Sequence, residues 1–247
     1  MSASRTHALF ISDLHLAEAR PGITRLFMHF LEELAPAAQT LFILGDLFEF
    51  WIGDDALADP LNAEVLAGLS KVATGGTKLK FMHGNRDFLA GPGFAVAAQA
   101  QLLADPTLLD LHGTPTLLMH GDTMCTDDKA YQAFRAHVRN PEVQRQFLAL
   151  PIPARQHQVG QVRAQSDQQK QDKPPAIMDV TLSAVEAAVR AANYPPRLIH
   201  GHTHRPARHE HMVDGHRCER WVLSDWYEKG EYLRVDAAGV TRVPYTG

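Results

Sequence analysis

Five short strings carry the side chains best suited to chemistry: Asp13-Leu14-His15, Gly45-Asp46, Gly84-Asn85-Arg86-Asp87, His120-Gly121-Asp122 and Gly201-His202-Thr203-His204. Each follows a run of strand length, apolar at Ala8–Ile11 and Leu41–Leu44 and continued by Lys78–Met82, Thr116–Met119 and Arg197–Ile199. In an open α/β sheet the carboxyl ends of the strands line the crevice where ligands bind, so residues delivered there are candidates for chemistry. Collected, they are Asp13, His15, Asp46, Asn85, His120, His202 and His204. Seven such donors can serve two divalent ions if one carboxylate bridges. Imidazole, carboxylate and amide oxygen suit Mn²⁺, Fe²⁺ or Zn²⁺, and the lack of thiolate argues against a structural zinc site. Two ions about 3.5–4 Å apart activate a water and clamp the oxygens of an in-line phosphoryl displacement. Phosphoester or phosphoanhydride hydrolysis is the reaction implied. Asp-x-His is weak evidence alone, Gly-His-Thr-His at a strand end is strong, and five strings in this order are stronger still.

Asp13 and His15 are two apart, which in extended backbone points both to one side. The same alternation turns His83 and His200 away from the ligands beside them. His7, His29, His112, His137, His157, His209, His211 and His216 are read as surface or core residues.

The elements that position these strings are legible between them. Ile23, Leu26, Phe27, Phe30, Leu31 and Leu34 repeat at helical spacing after Pro21, so strand, helix and strand form a right-handed βαβ unit. Asp59-Pro60 opens a second helix, with Leu61, Val65, Leu66, Leu69 and Val72 on its buried stripe and Gly75-Gly76 at its end. Leu182, Val185 and Val189 mark a later one. The runs around Trp221–Leu223, Tyr232–Val235 and Val240–Val243 alternate apolar and polar residues and are expected to close a second sheet as antiparallel strands. Residues 126–175 break the alternation. Thr126, followed by Asp127 and Asp128, predicts a helix start, and Val143–Leu150 continues helically. The glutamine-rich tract Arg155–Lys173 lacks apolar periodicity; composition alone reads it as a solvated linker, while its position argues for a helical cap over the crevice.

The 247 residues, 45% hydrophobic with a net charge of -4, fit one globular domain over 1–247 carrying this cap insertion. Two cysteines, Cys125 and Cys218, make no disulfide framework, which favours a reducing cytoplasm. No leader and no run approaching a membrane span is seen. The mild acidity argues against nucleic acid as a partner.

The five strings resemble the calcineurin-like metallophosphoesterase pattern, which implies a four-layer αββα sandwich with a dinuclear site. Arg86 stands where most of that superfamily has histidine, replacing a possible general acid with a fixed planar cation suited to phosphate oxygens. Together with Phe48-Glu49-Phe50-Trp51, the string from His120 to Asp128 and Asp225-Trp226-Tyr227, it closely resembles the UDP-2,3-diacylglucosamine hydrolase family of the lipid A pathway; Ser224 departs from the glycine expected there. The resemblance implies one Mn²⁺ on Asp13, His15, Asp46 and His204 and a second on Asp46, Asn85, His120 and His202, with Asp46 bridging. It implies Asp46, Asn85, Arg86 and His120 as the catalytic group. Attack would fall on the α-phosphorus of UDP-2,3-diacylglucosamine, releasing UMP and 2,3-diacylglucosamine 1-phosphate. Substrate contacts carried over are Asn85, Arg86, Asp128, Ser166, Lys170, Lys173 and His202, while Tyr131 is read as a core residue of the cap. A lipid substrate implies a cytoplasmic monomer held peripherally at the inner membrane. Arg135, His137, Arg139, Arg145 and Phe147 are candidates for the membrane-facing surface, against an ordinary solvated helix face. The alternative keeps the metal chemistry but acts on a soluble phosphodiester or phosphomonoester.

Overall fold

A computed structural model describes residues 5–172 and 175–247, and the side chains outside 165–176. Four parallel strands, β1 (Ala8–Ile11), β2 (Thr40–Ile43), β3 (Lys78–Met82) and β4 (Ala100–Leu103), alternate with helices α1 (Pro21–Glu33), α2 (Pro60–Thr74) and α3 (Pro92–Ala98). Then come β5 (Thr107–Leu111) and β6 (Thr114–Leu118), three helices α4 (Lys129–Val138), α5 (Pro141–Leu148) and α6 (Ile152–Asp172), and α7 (Leu182–Ala191). The chain closes with β7 (Arg197–His200), β8 (Ala207–Val213), β9 (His216–Val222), β10 (Gly230–Asp236) and β11 (Gly239–Tyr245).

The strands form two sheets, ordered β11-β10-β1-β2-β3-β4 and β5-β6-β7-β9-β8. Period-two alternation divides the first sheet's side chains between two cores. Leu9, Ile11, Leu41 and Ile43 face the helices with Phe27, Phe30 and Leu69. Ala8, Phe10, Phe42 and Leu44 face Leu118 and Ile199 of the second sheet, with Phe10 stacked on Phe42 at 4.4 Å. Burying rings of this size contributes about 2 kcal/mol each. Leu117, Leu198 and Cys218 on the second sheet's far side pack on Val185 and Val189 of α7. The result is the expected four-layer αββα sandwich.

Two details differ from the sequence expectation. The hairpin β10–β11 returns to the first sheet, where β10 pairs antiparallel with β1, rather than closing the second. Alternating hydrophobicity specifies which face of a strand is buried, not which sheet receives it. Helix α4 starts at Lys129, with Asp128 rather than Thr126 as its N-cap, accepting from the N–H of Tyr131 at 3.0 Å. The glutamine-rich tract is helical through Asp172, as its position rather than its composition implied, although it has no apolar stripe. Gln, Ala, Arg and Lys favour helix intrinsically, and Arg155, 1% exposed, fixes its first turn by donating to Asp55 and to the carbonyl of Ile52. No helix among the described residues is long and apolar enough to cross a membrane.

Candidate active site

The carboxyl ends of β1, β2 and β3 meet those of β6 and β7, and the two sheets are laced there by hydrogen bonds. The N–H of His202 donates to Asp13 Oδ2 at 2.9 Å, and His120 Nδ1 lies 2.8 Å from the carbonyl of Leu44. All seven candidate ligands converge on this seam in two groups. Asp13, His15 and His204 form one, and Asp46, His120 and His202 the other, each with its ligand atoms within 4.8 Å of one another. Asn85 joins the second group, with Oδ1 at 3.1 Å from His120 Nε2 and 2.9 Å from His202 Nδ1. Asp46 Oδ2 stands 3.7 Å from Nε2 of both His15 and His120, between the groups.

The backbone reaches this arrangement by turns rather than by extended alternation. Asp13, His15, Asp46, His202 and His204 all have left-handed φ, from 51° to 68°. Such conformations are costly for residues with a Cβ and collect at functional sites. Those of Asp13, His15 and Asp46 are held by parallel bonding of the loops after β1 and β2, from the N–H of Asp13 to Gly45, His15 to Asp46 and Leu16 to Leu47, and His202 is tied by its N–H to Asp13. Asp13 and His15 therefore share a site through a turn that spacing alone did not reveal.

Gly84 shows how tightly the loops cross. A Cβ there would lie 2.0 Å from Asp46 Oδ1 and 2.4 Å from its nitrogen. Gly84→Ala is therefore expected to displace the Asp46 carboxylate and reduce turnover about a hundredfold or more, as ångström-scale misplacement does. Steady-state rates, with circular dichroism to establish folding, check this; near-normal turnover would show that the loops yield.

The electrostatics fit bound cations. Asp13, Asp46 and Asp87 are all within 2% of full burial. Ser12 and the N–H of His202 occupy Asp13 Oδ2, leaving Oδ1 buried without a hydrogen-bond partner and aimed at His204 Nε2, 3.4 Å away. Burial pushes Asp46 up to about 7 against the pull of His120, and Asp87 and Asp13 add to the push. Against the opposing effect of burial, Asp13 and Asp225 raise His204 to about 10, and Asp46, Asp122 and Asp13 raise His120 to about 9. Burial, with His120 beside it, lowers His202 to about 3. Near neutrality the metal-free chain therefore holds protons on His204 and His120, which coordination must displace. Divalent-metal binding near neutrality is expected to release at least two protons per chain, from His204 and His120 with a part from Asp46, and to tighten with rising pH until about 10, where His204 deprotonates unaided. Calorimetry in buffers of different ionisation enthalpy reads the proton count; buffer-independent heats would contradict it.

The remaining predicted residues fall in distinct places. Arg86 donates its N–H to Asp46 Oδ1 at 2.8 Å, and its side-chain Nε is buried without a hydrogen-bond partner. Asp128 is a buried helix cap. Ser166 and Lys170 lie in the distal half of α6, and Lys173 is outside the described residues. Tyr131 is not a core residue of the cap: its hydroxyl donates to Asp122 at 2.7 Å, and its ring lies 5.7 Å from that of His202. Arg135 and Arg139 do not lie on a solvated or membrane-facing helix surface either. Arg135 pairs with Asp122 at 2.6 Å, and Arg139 donates to the carbonyl of Gly84 at 2.7 Å and lies over Phe88. Arg145 pairs with Glu142. Sequence reasoning missed Asp122 as the tether of α4, Asp87 as acceptor for the N–H groups of Leu47 and Gly84, and Glu49, which binds Arg20 and, from α6, Arg163. An acid inside each motif string was the available signal.

The calcineurin-like phosphoesterase family profile matches residues 6–206. A UDP-2,3-diacylglucosamine hydrolase from Aromatoleum aromaticum is 53% identical over 232 residues, 94% of either chain. One of the same name from Xanthomonas axonopodis pv. citri is 51% identical over 240 residues, 94% of this chain and 96% of the other. Among solved structures, a dimetal phosphatase from Danio rerio matches with a TM-score of 0.50 at 13% identity, over 98% of this chain and 99% of that one, and so shares the fold. With a family profile spanning every metal-facing strand end, and about half its residues in common with hydrolases of one name along nearly its full length, the chain belongs to the calcineurin-like phosphoesterase family, in the group of the UDP-2,3-diacylglucosamine hydrolases.

Proposed function

We propose that this chain hydrolyses the pyrophosphate bond of UDP-2,3-diacylglucosamine in lipid A biosynthesis. Water adds at the α-phosphorus, the bond to the sugar phosphate oxygen breaks, and UMP and 2,3-diacylglucosamine 1-phosphate leave. The observation that carries this reading is Arg86, whose backbone N–H bonds the carboxylate lying between two histidine groups and so brings its guanidinium to them, in a chain so similar to hydrolases of that name. Asp13, His15, Asp46 and His204 would hold one Mn²⁺, and Asp46, Asn85, His120 and His202 the other. When bound, such ions lower the pKa of water and neutralise phosphoryl oxygens. The chain's own groups orient the reaction. Arg86 grips phosphate oxygens, Asn85 and His202 contact the same phosphate, and His120 is held in place through Leu44. Asp128, Ser166, Lys170 and Lys173 contact the sugar nucleotide from the cap, where the lysines offset the two negative phosphates. The enzyme works as a cytoplasmic monomer at the inner-membrane face.

The test is UMP release from UDP-2,3-diacylglucosamine in detergent micelles by metal-stripped protein resupplied with Mn²⁺. Manganese-dependent release is expected. Equal or faster hydrolysis of a soluble phosphodiester would replace the substrate while leaving the metal chemistry in place. Sedimentation with anionic vesicles tests the membrane association, and protein that stays in the supernatant would overturn it.

A further inference from the structure

Behind His204 stands a carboxylate that the reaction itself does not use. Asp225 Oδ2 lies 3.2 Å from His204 Nδ1, while Nε2 of the same ring faces Asp13 Oδ1 at 3.4 Å. The imidazole thus has a carboxylate oxygen beside each nitrogen. A metal takes the lone pair of one ring nitrogen, and the proton on the other needs an acceptor; when that acceptor is a carboxylate, tautomer and ring plane are fixed and the ligand becomes more basic.

The mount of Asp225 is rigid. Trp226 is fully buried, edge-on to Phe27 and Phe30. Its indole N–H donates to the carbonyl of Glu231 at 3.1 Å, and its backbone N–H to the carbonyl of Asp13 at 3.3 Å. With Trp226 turned into the core, its neighbours on either side face the seam. Tyr227 stacks on His15 at 5.5 Å and lies edge-on to His204 at 5.4 Å. The string Asp225-Trp226-Tyr227 therefore frames both histidines of one group. The other group is backed differently. His120 Nδ1 meets the carbonyl of Leu44, and the amide of Asn85 stands where the first group has the carboxylate of Asp13.

We infer that Asp225 is a positioning residue that fixes His204 as an Nε2 ligand and strengthens ion binding at the Asp13/His15/His204 site and not at the other. This rests on the two-ion reading above. Mn²⁺ alone is the probe, titrated calorimetrically into the metal-free full chain. Asp225→Ala is made in a His202→Asn background, which disables the second site, and in a His15→Asn background, which disables the first. In the former, the remaining site is expected to weaken about 10- to 100-fold, as loss of such an outer partner does; in the latter, affinity should stay within about twofold. Asp225→Asn, which retains an acceptor without the charge, should recover part of the loss. Equal weakening in both backgrounds, which a general structural defect would produce, overturns the assignment. So does no weakening in either. A wild-type chain that binds no Mn²⁺ overturns the two-ion reading along with it, whereas binding that Asp225→Ala leaves untouched removes only the role of Asp225.

Discussion

Asp46→Ala is expected to abolish turnover of UDP-2,3-diacylglucosamine, by about a thousandfold or more, and to reduce Mn²⁺ content in both sites together. The reason is position. One oxygen of this carboxylate lies 3.7 Å from a histidine of each group, and the other accepts the N–H of Arg86. On the two-ion reading, truncation removes the donor that both ions would share, and it also frees the loop that presents Arg86. Losing several kcal/mol of charge stabilisation in the transition state corresponds to roughly that factor. UMP release and metal content by mass spectrometry check the prediction as a pair. Activity above a few per cent of wild type, or loss of one ion alone, would refute the bridging role.

Arg86→Ala should lower kcat/KM by about a hundredfold with both metal sites still filled. A charge-assisted hydrogen bond to an anion contributes about 1.5–3 kcal/mol, and a guanidinium that meets phosphate in two places more. The Nε of Arg86 is buried with no hydrogen-bond partner, a costly state for a donor until an anion accepts from it. Arg86→Lys keeps the charge and loses the fork, so an intermediate rate is expected. If lysine and alanine were equally slow, geometry alone would account for the effect; if both matched wild type, phosphate would be gripped elsewhere.

Much of the architecture could be read from pattern because it follows from burial. The runs before Asp13 and Asp46 are apolar on consecutive positions since both faces of those strands are covered, and α1 and α2 show their stripes because one face meets the sheet. What stayed hidden depends on contacts distant in sequence. The placement of β10 beside β1 is a pairing between strands more than 200 residues apart, which alternation does not encode. The inward turn of Arg135 and Arg139 needs Asp122 and the carbonyl of Gly84 as partners, and on the chain these look like ordinary surface charges. Helix α6 was legible from its position between the site-bearing strands and not from its pattern, because its order comes from intrinsic propensity and one anchored arginine rather than from a buried face. The convergence of seven donors could be anticipated from strand ends; the left-handed turns that orient five of them could not, since residue type alone only weakly signals positive φ outside glycine.

Each cluster takes its members from both sheets: His204 joins Asp13 and His15, and Asp46 joins His120 and His202. Neither half of the polypeptide owns a metal site. During synthesis, coordinating capacity is therefore incomplete until residue 204 has emerged and the second sheet has docked on the first. On the two-ion reading, a nascent or truncated chain would compete poorly for divalent ions, and metal would be acquired late, as a rivet across an already closed seam.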